Sequence, residues 1–136
     1  MPKHKVLFLC TGNSARSQMA EAIVNYRLAD NWEAVSAGTN PAGFIHPKAL
    51  TVLSEINIHH SSRSKHVDEF KDFDLVVTLC DEAEENCPVW LGKGKRVHRC
   101  IFDPSKTNDI DSFRQARDDI EREIINVLVN YSGSNR

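Results

Sequence analysis

Apolar positions change their period several times along this chain. Residues 5–10, KVLFLC, form one continuous apolar run, the pattern of a strand buried on both faces. From Ser17 the spacing lengthens: Met19, Ala20, Ile23, Val24 and Leu28 recur as one face of a helix. EAVSAG, from Glu33 to Gly38, reads as a second strand. His46-Pro47 opens a second helix with Ala49, Leu50, Leu53 and Ile56 on its inner face; a proline there loses only an N–H that would be unpaired anyway. DLVVTLC, from Asp74 to Cys80, is the clearest strand, DEAEEN after it favours a short helix, and KRVHRCIF from Lys95 to Phe102 is a fourth strand. The last helix begins near Asp109, with Ile110, Phe113, Ala116, Ile120, Ile124, Val127 and Tyr131 as one stripe. Strands alternating with helices predict an α/β fold: a single domain over residues 1–136, with a four-stranded parallel sheet and helices on both faces.

Composition narrows the classes. The chain has 136 residues, 40% of them hydrophobic, which suffices for one real core. A net charge of −2 offers no electrostatic case for binding nucleic acid. No stretch approaches the roughly 20 apolar residues that span a bilayer, so no membrane association is expected. The N-terminal MPKHK leads into only a short apolar run, unlike a secretory leader. A cytoplasmic monomer is the expectation. In that reducing compartment Cys10, Cys80, Cys87 and Cys100 read as catalytic, redox or metal-binding residues rather than permanent crosslinks.

Three chemically capable residues fall at strand ends. Cys10 closes the first strand, Cys80 the third, and Asp103 follows the fourth. In open parallel sheets ligands bind beyond the carboxyl ends of the strands, so these residues are expected at one edge. Between Cys10 and the first helix lies Thr11-Gly12-Asn13-Ser14-Ala15, closed by Arg16 and Ser17. Backbone N–H groups of such a loop can form an anion-binding nest. The following helix adds positive potential, and Arg16 offers a two-pronged donor to a tetrahedral oxyanion. Gly12 permits close backbone approach, and Ser17 can donate its hydroxyl to the sulfur. The loop therefore reads as an oxyanion site that aims a Cys10 thiolate at the central atom.

The segment from Cys10 to Ser17 resembles the active-site loop of the low-molecular-weight protein tyrosine phosphatase fold, and Asp103-Pro104 matches that family's general-acid pair. The phosphatases typically carry two tyrosines after that proline, where this chain has Ser105 and Lys106. VVTLCDEAEENCP, from Val76 to Pro88, instead resembles the thioredoxin-coupled arsenate reductases of the same fold. The resemblance runs from about Lys5 to the last helix. It implies that arsenate enters the loop as a phosphate analogue, with phosphate or sulfate as its mimics. Cys10 then attacks arsenic while Asp103 protonates the departing oxygen. Cys80 attacks the adduct, Cys87 takes over the disulfide, and thioredoxin reduces the Cys80–Cys87 bond. No cofactor and no metal is implied for that chemistry. The residues alone leave two enzyme classes open: this reductase, or a phosphatase acting on phosphotyrosine or small phosphate esters in which Cys80 and Cys87 give redox protection. An oxyanion- or metal-binding sensor is a third reading.

Lesser candidates carry plainer expectations. Cys80, Cys87, His98 and Cys100 are all possible zinc ligands, but their spacings are not those of common fingers. Cys100 reads as a small core residue of the fourth strand. The pairs His59-His60 and Arg63-Lys65 read as a solvated basic loop. Glu21 and Asn13 resemble positions that some reductases of this family use around a potassium ion, yet Arg63 stands where an acidic residue is expected before VDEF.

Overall fold

The structure, a computed structural model, describes residues 3–81 and 89–131. Four strands, β1 (His4–Cys10), β2 (Trp32–Gly38), β3 (Asp72–Thr78) and β4 (Lys93–His98), form one sheet in the order β2-β1-β3-β4. Every pairing is parallel. β1 is central and pairs on both edges, which is why its sequence is an unbroken apolar run: Val6, Leu7, Phe8 and Leu9 are fully buried. β4 lies at an edge, and its Lys93, Lys95 and Arg96 put charges where an unpaired ladder would otherwise invite association.

The alternation of strand side chains separates two cores. Val6, Phe8, Leu75 and Val77 face a large cluster that takes in all the buried apolar residues of α1 (Arg16–Arg27), α2 (Pro47–Ser54) and α3 (Ile110–Val129). Leu7, Leu9 and Val76 face the opposite side, where Trp90, Phe70, Phe73 and Val67 of a 3₁₀ turn (Val67–Glu69) cover them. Among the described residues the three α-helices gather on one face, and the other face, where the alternation also predicts helices, is covered by the 3₁₀ turn, Phe70 and Trp90. Phe8 and Phe113 are the largest fully buried side chains, each worth about 1.5–3 kcal/mol of transfer free energy.

Element ends depart from the sequence reading in ways that matter for the site. β3 stops at Thr78, so Cys80 lies two residues past the strand rather than on it. β4 stops at His98, and Cys100 is exposed instead of a core residue. Past β4 the chain still follows the segment after β3, with the Arg99 N–H donating to the Thr78 carbonyl and the Ile101 N–H to the Leu79 carbonyl. The expected α3 stripe ends with Tyr131 beyond the helix, where its ring meets Trp32 and His4 edge-on. The short helix expected over DEAEEN lies almost wholly outside the described residues, as does Cys87. Among the described residues no helix is long and apolar enough to cross a membrane.

Candidate active site

The loop from Thr11 to Ala15 is tied down from outside. Asn40 and Ala42 donate their N–H groups to the carbonyls of Thr11 and Gly12, His46 donates to that of Ser14, and the Gln18 side-chain amide donates to that of Asn13. A trans peptide points its N–H opposite its C=O. The N–H groups of Gly12, Asn13, Ser14 and Ala15 therefore point away from this outer layer. Asn13 adopts a left-handed conformation, with φ of 46°, a region asparagine tolerates better than most residues. Gly12, by contrast, is not forced by packing: a Cβ there would meet only the Ser14 Cβ, at 4.0 Å.

Close approach is instead required at Gly38, on the neighbouring strand. A Cβ there would stand 2.3 Å from the Thr11 carbonyl oxygen and 2.9 Å from that of Cys10. Sequence reasoning used Gly38 only as a strand end. The signal available was a glycine at the carboxyl end of the strand expected beside the loop.

Cys10 is buried, and its sulfur lies 2.9 Å from the Ser17 hydroxyl. The direction of that bond follows from its neighbours. Asn13 Oδ1 accepts from both Gln18 Nε2 (3.0 Å) and the Lys65 N–H (2.6 Å), so its Nδ2 is the atom facing Ser17 Oγ at 2.9 Å. The hydroxyl accepts from Asn13 and is left with its proton for the sulfur. Arg16, only 4% exposed, donates to the Ile101 carbonyl (3.1 Å) and the Leu79 carbonyl (3.4 Å). Its other terminal nitrogen lies 3.7 Å from Asp103 Oδ2. Asp103 is fixed in turn by Ser105, whose N–H (3.0 Å) and hydroxyl (2.7 Å) both donate to Oδ1. Ser105 therefore fixes the orientation of the Asp103 carboxylate.

Cys10, Gly12, Ser14, Ala15, Arg16, Phe44, His46, Asp103 and Ser105 line one cavity of about 230 Å³. His46 caps α2 by accepting the Lys48 N–H at Nδ1, and its ring lies 4.5 Å from that of Phe113. Burial, aided by the Lys48 ammonium, holds its pKa below the ordinary 6.5. Thr11, Asn13 and Ser17 bound the same loop without lining the cavity. Cys80 is fully buried and disulfide-bonded, whereas Cys10 and Cys100 are in no disulfide. The Leu79 N–H donates to the Leu9 carbonyl, so the chain entering Cys80 runs beside the chain entering Cys10.

The basic segment 59–65 is not simply solvated. Lys65 is 6% exposed, and the His60 ring is largely enclosed, while His59 and Arg63 are exposed. The Lys65 ammonium lies 3.4 Å from Glu21 Oε1, which also accepts from the buried Ser36 hydroxyl at 2.6 Å. A potassium ion at Glu21 would stand beside that fixed ammonium, so the residues present do not fit the potassium site considered at Glu21 and Asn13. Among the described residues no cluster of three or more His, Cys, Asp and Glu is arranged to hold a metal.

A strand-ending cysteine, a tethered loop, a buried arginine and an aspartate beyond the fourth strand define one kind of scaffold. The chain belongs to the low molecular weight phosphotyrosine protein phosphatase family, whose model matches residues 5–133. Within it the relatives are more particular. An arsenate reductase from Shouchella clausii (strain KSM-K16) is 38% identical over 128 residues, spanning 88% of this chain and 91% of its own. The crystal structure of the arsenate reductase from Archaeoglobus fulgidus DSM 4304 superposes with a TM-score of 0.81 at 31% identity, covering 92% of this chain and 99% of that one. A thioredoxin-dependent arsenate reductase from Corynebacterium glutamicum superposes at 0.68 with 26% identity, over 96% of this chain and 64% of its own.

Proposed function

We propose that this enzyme, an arsenate reductase on the phosphatase scaffold, works by a relay of Cys10, Cys80 and Cys87 that thioredoxin regenerates. Arsenate sits against the loop N–H groups of residues 12–15 and the Arg16 guanidinium, which carry the charge of a tetrahedral oxyanion. The Cys10 thiolate, held by the Ser17 hydroxyl, attacks arsenic, and Asp103 gives a proton to the oxygen that leaves as water. The Cys80 thiolate then attacks the Cys10 sulfur. The sulfur–arsenic bond breaks, its electron pair stays with arsenic, and arsenite departs as a Cys10–Cys80 disulfide forms. Cys87 attacks Cys80 and frees the Cys10 thiolate, leaving a Cys80–Cys87 disulfide for the dithiol of thioredoxin to reduce. A reducing cytoplasm would supply the thioredoxin dithiol that this last step needs.

The observation that carries this reading is the pairing of a free Cys10 at the cavity with a buried, disulfide-bonded Cys80 on the adjoining chain. Hydrolysis of a phosphate ester needs the first cysteine and no second. The test uses both substrates. Cys10→Ser abolishes turnover of arsenate and of p-nitrophenyl phosphate. Cys80→Ser and Cys87→Ser stop multiple turnover of arsenate with thioredoxin but leave weak p-nitrophenyl phosphate hydrolysis. Steady-state arsenate reduction persisting in either relay variant sinks the relay; wild-type protein that turns over arsenate no faster than the Cys80→Ser, Cys87→Ser double variant favours the phosphatase reading.

A further inference from the structure

Lysine side chains are seldom buried, and Lys65 is buried behind the active-site loop rather than in the cavity. Its ammonium has three hydrogens, and three oxygens receive them: the Arg63 carbonyl at 2.7 Å, the Ser62 hydroxyl at 3.0 Å and Glu21 Oε1 at 3.4 Å. Glu21 is buried on α1, and the Lys65 ammonium is its full countercharge at close range; burial of either charge alone would be costly. His60 Nε2 is 3.9 Å from the other Glu21 oxygen, but its hydrogen bond goes to Gln18 Oε1 at 2.8 Å. Gln18 spends its own N–H groups on Asn13 and the Arg63 carbonyl, so its Oε1 accepts from the His60 Nε2–H.

The same lysine reaches the nucleophile through its backbone. The Lys65 N–H holds Asn13 Oδ1, Asn13 Nδ2 holds Ser17 Oγ, and Ser17 Oγ holds the Cys10 sulfur. The Lys65 carbonyl accepts the Gly38 N–H at 2.9 Å, which fixes the strand end pressed against Thr11. An ammonium anchored to Glu21 thus pins the segment that sets the Asn13 amide and, through it, the direction of the Ser17 proton. We propose that the Lys65 ammonium is a resident cation that takes the place of a bound monovalent ion beside Glu21 and braces the oxyanion loop, so that Ser17 donates to Cys10. Lys65 is a positioning residue, since it touches neither substrate nor the reacting atoms.

The inference rests on the reading of Cys10 as the nucleophile, but its test does not require arsenate turnover. The probe is alkylation of reduced protein by iodoacetamide, read at the Cys10 peptide by mass spectrometry, at about pH 6 and about pH 9, with potassium chloride or choline chloride at equal ionic strength. Lys65→Gln keeps a polar side chain and opens room for an ion. In choline its Cys10 reacts about fivefold or more slowly than the wild type at the lower pH and at a similar rate at the higher, because only the thiolate fraction has changed. Potassium restores the variant and leaves the wild type unaffected, and Lys65→Arg retains most of the wild-type rate. A merely structural lysine would change the melting temperature without this dependence on pH and cation. A potassium response in the wild type, which needs no variant to fold, overturns the proposal. So does a Lys65→Gln protein whose Cys10 reacts as the wild type does, or one that potassium does not restore. Loss of arsenate reduction alone, with these alkylation results intact, would count against the relay and not against Lys65.

Discussion

Ser17 is a small residue with a directional task. Its hydroxyl accepts from Asn13 Nδ2 and therefore presents its single proton to the Cys10 sulfur, 2.9 Å away. A hydrogen bond to a charged group contributes about 1.5–3 kcal/mol. Ser17→Ala is therefore expected to lower kcat for the first chemical step by about tenfold to a hundredfold, with little change in sulfate affinity. Single-turnover kinetics with arsenate and calorimetric titration with sulfate separate the two effects. An equal loss in both would mean that Ser17 positions the anion rather than the thiolate. Arg16 differs because its guanidinium is already oriented by the Ile101 and Leu79 carbonyls, so the charge is set in place before any anion arrives.

At the scale of elements, the site depends on how closely β2 approaches the loop that follows β1. Parallel pairing brings Gly38 opposite Cys10, and the absent side chain lets the Thr11 carbonyl come within 2.3 Å of where a Cβ would stand. The nearest atoms are all backbone, so nothing can swing aside. Gly38→Ala is expected to cost about 1–3 kcal/mol of stability, the usual range for overpacking a filled site, and to weaken sulfate binding together with it. Urea unfolding and sulfate titration on the same preparation test this; a stable variant with normal anion affinity would show that the loop can shift without penalty. α3 contributes from the other side: Phe113 packs beneath His46, whose N–H holds the Ser14 carbonyl. Helix packing and loop geometry are thereby one structure.

Over the whole molecule, pH acts through the histidines that the fold encloses. Burial, reinforced by Lys65 and opposed by Glu21, holds His60 below 6.5, and burial with Lys48 does the same for His46. A lowered histidine pKa means that the unfolded chain binds protons first. Its contribution to stability is complete above 6.5 and is lost as pH falls below that value. The exposed carboxylates Glu55 and Glu69, whose arginine partners hold them below 4.5, and Glu69 to about 2, begin to matter only under more acid conditions. Melting temperature is therefore expected to fall between about pH 6.5 and pH 5, with a shallower slope in His60→Gln, which can still donate to Gln18. A wild-type profile that stays flat across that interval would refute the assignment.

Much of this was legible along the chain because local pattern and tertiary role agreed. A central parallel strand must be apolar on both faces, so β1 declared itself in six residues. The loop after it became informative through its setting: the cysteine-to-arginine spacing alone is common, but here a strand precedes it and a serine and a helix follow. What the chain could not reveal were contacts between residues far apart in sequence. Lys65 reads as one more solvated charge until the fold sets it against Glu21 and Asn13, 44 and 52 positions away. Gly38 reads as a strand end until parallel pairing presses it on Thr11. Cys100 reads as a core residue because it falls within the expected fourth strand, yet the strand ends before it and leaves it exposed. Periodicity and spacing report what a residue does for its own element. Which buried charge meets which, and which backbones touch, is decided only when the sheet closes and the distant segments come together.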